Sequence, residues 1–276
     1  MRVIGSLRQL SPAPMVLPRL QRLLTNPNSS LFDIVELVRL DTGLTARIIQ
    51  ISNSAWFGRG EHCQTLEEAV NRVGFHQAHQ LVATAAASAV IEKSLPVYGL
   101  DSKTMWRSSV ACAFAAELLA AQIREDVAEA YTIGLLHAVG KVAVDSYFRG
   151  RMPVVSLSDD GFPLEYTVSE KAQLGFTQAD VGACMLKNWD FGPLAVEAIR
   201  SQYAPSEALL PYDRMAAVIY GARLLRTVVC QGGEGQPIRA DVGALDSLRM
   251  TETELFGFIP DLRALMTKAR QITEIR

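Results

Sequence analysis

The stretch DTGLTARIIQISNSAWFG, residues 41–58, carries its apolar side chains on one face of an α-helix. Leu44, Ile48 and Ile51 recur at intervals of three and four residues, which is the period of a helix and not of a strand. Asn53 and Ser54 follow this run, and short polar side chains of this kind favour caps and turns. The stretch therefore predicts a helix that ends in a polar turn.

The same helical period continues in both directions along the chain. It marks 17–24 and 31–40, where Ser30 and Asp33 form a capping arrangement for the second helix. Thr65 and Glu68 form a capping box for a helix that Gly74 ends. Further helices are predicted at 75–93, 102–122, 126–139, 177–189, 193–203, 212–229 and 251–272. The sequence thus predicts an all-α protein, with at most a short strand near 152–156.

A joint between two helical lobes is expected where Pro96 and Gly99 interrupt the helical pattern. The Ala-rich run 81–91, just before this joint, is too small-sided and uncharged to face water along its whole length. We therefore expect a broad, mostly apolar interface between the lobes. A glutamate at Ala85 or at Ala89 should unfold the protein or separate them.

Charge and composition limit the classes of function. The chain has 27 Lys and Arg against 29 Asp and Glu, a formal net charge of −2, so binding to nucleic acid or anionic membrane is not favoured. The uncharged run 81–91 is about half as long as a bilayer crossing requires. No apolar run of signal-peptide length precedes Pro12 and Pro14. We expect a cytoplasmic protein with no direct nucleic-acid contact and no membrane insertion.

The helix of the opening stretch and several later motifs follow a recognisable order. The later ones are Leu66 with Ala69, Val70 and Gly74; Trp106; GLLHAVGK at 134–141; Gly175 with Val181 and Gly182; and Trp189. In this order they resemble the HDOD domain, the HD-related output domain of bacterial signalling proteins. The resemblance covers about residues 15–210. Its structural positions are Asp41, Leu44, Asn53, Ser54, Gly74, Trp106, Gly134 and Gly140.

The resemblance implies a domain organisation. A lead-in at 1–14 precedes an HDOD domain at 15–210, which divides into an N-terminal helical lobe at 15–95 and a degenerate HD-like lobe at 100–210. Residues 211–276 form a C-terminal helical extension packed on the HD-like lobe. Thr42 and Gly43 depart from the family pattern, which usually has a proline at the first of these positions.

Active HD proteins are metal-dependent phosphohydrolases that hold divalent ions in a ring of His and Asp side chains. The resemblance places that ring at Ser108, His137, Ala138, Gln178, Gln202 and Tyr203. Only His137 keeps a ligand of the family type, and one imidazole cannot hold a catalytic metal alone. We therefore expect no catalytic residue, no metal and no cofactor, and we expect His137 to form a structural hydrogen bond between helices.

No other group of residues in the sequence forms a recognisable catalytic or metal-binding motif. His76 and His79 are three residues apart on one predicted helix, but no acidic partner follows at helical spacing, so we interpret them as a solvated or partly packed pair. The four cysteines are scattered and form no CxxC motif. The chain also has no GxSxG, no P-loop, no HExxH and no dinucleotide-binding GxGxxG following a strand.

The sequence-based hypothesis is a non-catalytic output or scaffold domain that contacts a receiver domain, a histidine kinase or an enzyme of cyclic-dinucleotide turnover. These partner classes come from the family resemblance. One alternative is a metal-dependent phosphohydrolase or phosphodiesterase with an unorthodox site. Another is a nucleotide sensor that uses the old HD cleft, although Arg107, Lys141 and Arg200 are the only evident anion partners near it.

Overall fold

The computed structural model describes residues 16–26, 28–39, 41–54, 62–150, 170–231 and 240–269. The helices are α1 Val16–Thr25, α2 Leu31–Val38, α3 Thr42–Ser52, α4 Leu66–Val73, α5 Phe75–Ile91, α6 Ser102–Ile123, α7 Val127–Leu136, α8 Val139–Phe148, α9 Gln178–Asn188, α10 Pro193–Arg200, α11 Asp213–Gln231, α12 Val242–Leu248, α13 Glu252–Phe256 and α14 Ile259–Lys268. A further helical turn spans 170–174, and short 3₁₀ turns lie at Pro96–Tyr98 and Pro205–Glu207.

The predicted all-α fold is confirmed, because the described ranges contain no β-strand. Their only β pairing is an isolated bridge between Leu95 and Leu100. The short strand expected near 152–156 lies outside the described residues. Residues Val127–Phe148 are apolar and long enough to cross a membrane by length and composition, but 83% of their most apolar stretch is buried inside the protein, as in a core helix.

Local capping signals set several helix starts as predicted. The Ser30 amide donates to Asp33 Oδ2 at 2.7 Å, ahead of α2. At α4 the Glu68 amide donates to Thr65 Oγ1 at 3.2 Å, and the Thr65 amide donates to Glu68 Oε2 at 3.3 Å. These bonds satisfy amides that the first helical turn leaves without partners.

The C-terminal region departs from the prediction of one helix at 251–272. The chain instead forms α13 and α14, with a break at Gly257 and Phe258. Pro260 lies in the first turn of α14, where its missing amide is harmless; it would interrupt a continuous helix. The predicted helix 126–139 likewise ends at Leu136, and α8 begins at Val139. Helix α12 was not predicted.

Helix α5 joins the two lobes. It packs against α1, α3 and α4 of the N-terminal lobe and against α6, α7 and α8 of the HD-like lobe. Gln80 Nε2 donates to Glu117 Oε1 at 2.6 Å, and the hydroxyls of Thr84 and Tyr131 are 2.8 Å apart. The residues of α5 from 78 to 91 are buried except Ala89, which is exposed. The apolar interface is therefore present, but the prediction that Ala89 lies within it is wrong.

The HD-like lobe is held by close helix contacts. A β-carbon on Gly134 of α7 would lie 2.7 Å from the Cα of Ala113 on α6, so only glycine allows this approach. Trp106 is buried on α6 at 1% exposure. Helix α11 also packs along α6 and carries the chain beyond residue 210 onto this lobe.

Two positions of the opening stretch tie the N-terminal lobe together. Asp41 caps α3 by accepting a hydrogen bond from the Leu44 amide at 2.9 Å. The side chain of Asn53 also makes two hydrogen bonds to Cys63. Its Nδ2 donates to the Cys63 carbonyl at 3.0 Å, and its Oδ1 accepts from the Cys63 backbone amide at 2.8 Å. Ser54 is buried beside this link. The side chain of Asn53 thus joins the end of α3 to the segment before α4, and Gly74 separates α4 from α5 at a φ of +79°.

Candidate functional site

The residues at the six inherited HD positions come together between α6, α7, α9, α10 and α11. They are Ser108, His137, Ala138, Gln178, Gln202 and Tyr203. The first five are at least 90% buried, and Tyr203 is half-buried. Direct hydrogen bonds, described below, connect His137 with both glutamines. The sequence therefore located this buried cluster, to which the resemblance assigns the HD cleft, although its chemistry differs from that of a metal ring.

His137 keeps the local geometry of a metal ligand. Its Nδ1–H donates to the Gly134 carbonyl at 2.8 Å, which leaves the lone pair on Nε2. A backbone bond of this type orients metal-binding histidines in many proteins. Burial holds the pKa of His137 well below its usual range, and the nearby charges of Arg226 and Arg223 lower it further. The imidazole is therefore neutral. Its hydrogen bond stays within one helical turn, so the prediction that the His137 ring bonds between helices is wrong.

The His137 carbonyl, not its ring, connects the helices. Gln178 Nε2 on α9 donates to this oxygen at 3.3 Å, and Gln202 Nε2 after α10 donates to it at 3.0 Å. Gln202 also donates to the Ile199 carbonyl at 2.9 Å, and Gln178 contacts the Tyr203 hydroxyl at 2.9 Å. Both glutamines are thus hydrogen-bonded to protein, as expected. Their Oε1 atoms are buried and have no hydrogen-bond partner among the described residues.

Two arginines on α11 complete the cleft, and the sequence prediction missed them. Arg226 Nη1 donates to Ser108 Oγ at 2.5 Å. Arg223 Nη1 donates to the Gln202 carbonyl at 2.9 Å, and its guanidinium lies 3.9 Å from the centre of the Tyr203 ring. Both side chains are buried, at 4% and 7% exposure for Arg223 and Arg226. Positive charge therefore reaches the old metal cleft from a helix beyond the predicted 15–210 boundary.

A buried carboxylate lies on the other side of Gln178. Glu170 accepts hydrogen bonds from the Tyr98 hydroxyl and from the Gln178 backbone amide, each at 2.7 Å. Lys141 Nζ lies 5.3 Å from the centre of the Tyr98 ring. Burial raises the pKa of Glu170, whereas these hydrogen bonds and the charges of Lys141 and Arg223 act in the opposite direction. Glu170 thereby caps the first turn of α9 and links it to the lobe junction.

The residues present do not fit the divalent ion that HD chemistry requires. Ala138 offers a methyl group, Ser108 accepts a hydrogen bond from a guanidinium, and the two glutamines offer only neutral amide oxygens, which bind transition metals weakly. A metal ion here would also meet the positive charges of Arg223 and Arg226. Across the described residues, no group of three His, Cys, Asp or Glu side chains is placed to hold a metal. Of the expected anion partners, Arg107 is exposed and Arg200 pairs with Glu197. The expectation that Arg107, Lys141 and Arg200 are the only anion partners there is therefore wrong, because Arg223 and Arg226 lie among the inherited positions.

A family profile also matches most of the sequence. The sequence profile of the HDOD domain matches residues 10–205. The chain belongs to the HDOD domain family.

One relative of this HDOD protein is distant in sequence. An uncharacterised protein of Treponema pallidum (strain Nichols) is 26% identical over 213 residues, which is 76% of this chain. The chain spans only 41% of the length of that relative.

Two solved structures share the fold. One is a Marinobacter aquaeolei VT8 protein whose name suggests signal transduction, at 23% identity and a TM-score of 0.72, covering 96% of this chain and 59% of that one. The other is a Shewanella amazonensis SB2B protein whose name suggests a phosphohydrolase, at 22% identity and a TM-score of 0.70, covering 98% and 97%. At these identities the likeness shows the fold alone.

The histidine pair of the HDOD domain divides into two different environments. His76 is exposed and lies 3.4 Å from Glu117 Oε1, an acidic partner on α6 that local spacing could not reveal. His79 is fully buried and lies 3.3 Å from the Thr132 hydroxyl. Burial and the neighbouring His76 lower the pKa of His79 to about 3. The interpretation as a solvated or partly packed pair is therefore wrong for His79, which is a neutral core residue.

Proposed function

We propose that this HDOD domain is a non-catalytic module of a cytoplasmic signalling pathway, which acts by contact with other proteins. The observation that carries the proposal is the replacement of the metal ring by the buried guanidinium groups of Arg223 and Arg226 beside His137. Phosphoester hydrolysis in HD proteins needs a metal to generate a hydroxide nucleophile. A cleft that presents fixed positive charge in place of metal ligands repels that ion.

The same residues support a structural use of the cleft. The carbonyl of His137 collects hydrogen bonds from Gln178 and Gln202, and Arg223 adds one to the Gln202 carbonyl. These bonds join α7, α9, α10 and α11 into one body. A rigid body with no reacting group suits an output domain, whose effect depends on the surfaces that it presents. The expected partners are a receiver domain, a histidine kinase or an enzyme of cyclic-dinucleotide turnover.

The decisive experiment measures metal and activity together. Protein purified without chelator is analysed for Mn, Fe, Zn and Ni, and assayed on bis-p-nitrophenyl phosphate and on a cyclic dinucleotide with added Mn²⁺. We expect less than 0.1 equivalent of metal, no hydrolysis above a buffer control and no change in melting temperature with EDTA. One equivalent of metal, lost in His137→Ala together with hydrolysis, would overturn the proposal.

A second experiment tests the contact role. The tagged chain is used to isolate partners from the organism that encodes it, and these are identified by mass spectrometry. Enrichment of one of the three signalling classes over a tag-only control supports the proposal. Repeated recovery of none of them counts against it.

A further inference from the structure

A second cleft lies on the surface, away from the inherited HD positions. This arginine groove, of about 450 Å³, forms where the end of α6 meets α11, α12, α13 and α14. Its basic residues are Arg124, Arg214 and Arg249, and its apolar residues include Ile123, Leu248 and Phe258. Most of these residues come from the part of the chain beyond 205, where the match to the HDOD family ends. The groove therefore lies largely outside the region that the HDOD family profile matches.

The charges in the groove are not balanced. The side chains of Arg124 and Arg249 are exposed, and neither forms a hydrogen bond or an ion pair with a described residue. Arg214 is already engaged, since it contacts Glu125 at 3.1 Å and donates to the Ile123 carbonyl at 2.6 Å. Two guanidinium groups thus remain available to a ligand, in a chain whose net charge is −2.

Glu254, the acidic residue that lines the groove, supplies one negative charge and does not balance both exposed arginines. Both the amide and the hydroxyl of Thr251 donate to Glu254 Oε2 at 2.8 Å, as part of the N-terminal cap of α13. These bonds lower the pKa of Glu254, so its carboxylate is ionised and held at the cap. The positive charge of Arg124 and Arg249 is therefore directed to solvent or to a partner.

The backbone restricts which anion the groove fits. Arg124 ends α6 and Arg249 ends α12, each in the left-handed region, at φ of +61° and +52°. The groove is thus lined by two helix C-termini, which present carbonyl oxygens and partial negative charge. The start of α13 also lies here, but the amides of Thr251 and Glu254 are used in its own capping box. A compact phosphate group prefers amide donors at a helix N-terminus. A peptide suits helix C-termini better, because it brings separate carboxylates for the arginines and amide donors for the carbonyls.

We propose that the arginine groove docks an acidic segment of a partner protein. Carboxylates of that segment pair with Arg124 and Arg249, and one apolar side chain lies on the surface of Ile123, Leu248 and Phe258. The segment binds in the manner of short motifs that arginine clusters recognise, with an apolar anchor for specificity. This inference rests on the proposed contact function and assigns it a surface.

The test begins with a display library of random twelve-residue peptides, selected on the full chain. Enriched peptides are synthesised with a fluorescein label, and their affinity is measured by anisotropy at low and moderate salt. We expect peptides that combine several Asp or Glu with one Leu, Ile, Phe or Trp and that bind more weakly as salt rises. The double variant Arg124→Gln/Arg249→Gln should weaken binding at least tenfold.

A matched control removes the same charge elsewhere. Arg19→Gln/Arg107→Gln changes two exposed arginines outside the groove and should bind within twofold of the parent. The inference is overturned if no peptides are enriched, if they lack acidic residues, or if the groove variant binds them as well as the parent. Displacement by 1 mM pyrophosphate but not by unlabelled peptide would also overturn it, in favour of a small anion. None of these results bears on the metal and hydrolysis assays, so the two proposals can fail separately.

Discussion

A β-carbon on Gly140 would lie 1.9 Å from the carbonyl oxygen of Gln178. The backbones of α8 and α9 therefore meet at a distance that no other residue allows, and the Gly182 amide nitrogen lies 2.8 Å from the same point. This contact places the start of α9 beside His137, where Gln178 Nε2 donates to the His137 carbonyl. The glycine of the GLLHAVGK motif thus serves helix packing at the cleft.

We predict that Gly140→Ala lowers the free energy of unfolding by at least about 2 kcal/mol, because the clash is with backbone that cannot rotate away. Urea unfolding followed by circular dichroism measures the loss. Gly43→Ala in α3 is the matched control, since its β-carbon would meet only Asp41 Oδ1, at 3.5 Å. That change should be neutral or stabilise the helix by up to about 1 kcal/mol. Equal midpoints for parent and Gly140→Ala would contradict the close contact.

Elements with local signals could be predicted from the sequence. The capping boxes at Ser30 and Thr65 were visible as pairs three residues apart, and the structure forms both. The starts of these helices depend on bonds within one turn, so no distant residue decides them. The break at Gly257 was missed because the apolar period continues across it, although Pro260 was a signal against one continuous helix.

The chemistry of the cleft could be predicted only in part. Its inherited positions follow from the order of motifs, and the loss of ligands at Ala138 and Gln178 is visible in the sequence. Arg223 and Arg226 lie on α11, 86 and 89 residues after His137, and nothing in their local sequence indicates which face of that helix is buried. Glu117 beside His76 was missed for the same reason. Long-range packing determines these contacts, and one sequence does not show it.

We predict that burial of neutral His79 makes the protein sensitive to acid. Its pKa is about 3 in the folded protein and near 6.5 when unfolded, so between these values only the unfolded chain gains the proton. Stability is therefore lost as pH falls below about 6.5, by about 3 kcal/mol from this residue at pH 4.5. His79→Leu should reduce the difference in unfolding free energy between pH 7.5 and pH 4.5 by that amount. The exposed His62→Leu is the control, and an unchanged difference in His79→Leu would refute the assignment.

Arg223 should not tolerate lysine, although the charge is conserved. Its guanidinium donates to the Gln202 carbonyl and lies over the Tyr203 ring, and the compact ammonium group of lysine cannot match this planar geometry. We predict that Arg223→Lys lowers the unfolding free energy by about 1–2 kcal/mol. Arg107→Lys, at an exposed position of α6, should change it by less than about 0.5 kcal/mol. Equal stability of the two variants would show that the contacts of Arg223 contribute little.

The lobe interface provides the last prediction, in which two positions one turn apart receive the same change. Ala85 is 2% exposed on α5, whereas Ala89 is exposed. A glutamate at position 85 would bury a carboxylate without a cation or hydrogen-bond donor to pair with it. Ala85→Glu should therefore unfold the protein or lower its melting temperature by more than about 10 °C. Ala89→Glu should melt within about 2 °C of the parent, because its carboxylate stays in water. Thermal unfolding followed by circular dichroism distinguishes the two variants. Similar melting temperatures for both would contradict the difference in burial between positions 85 and 89.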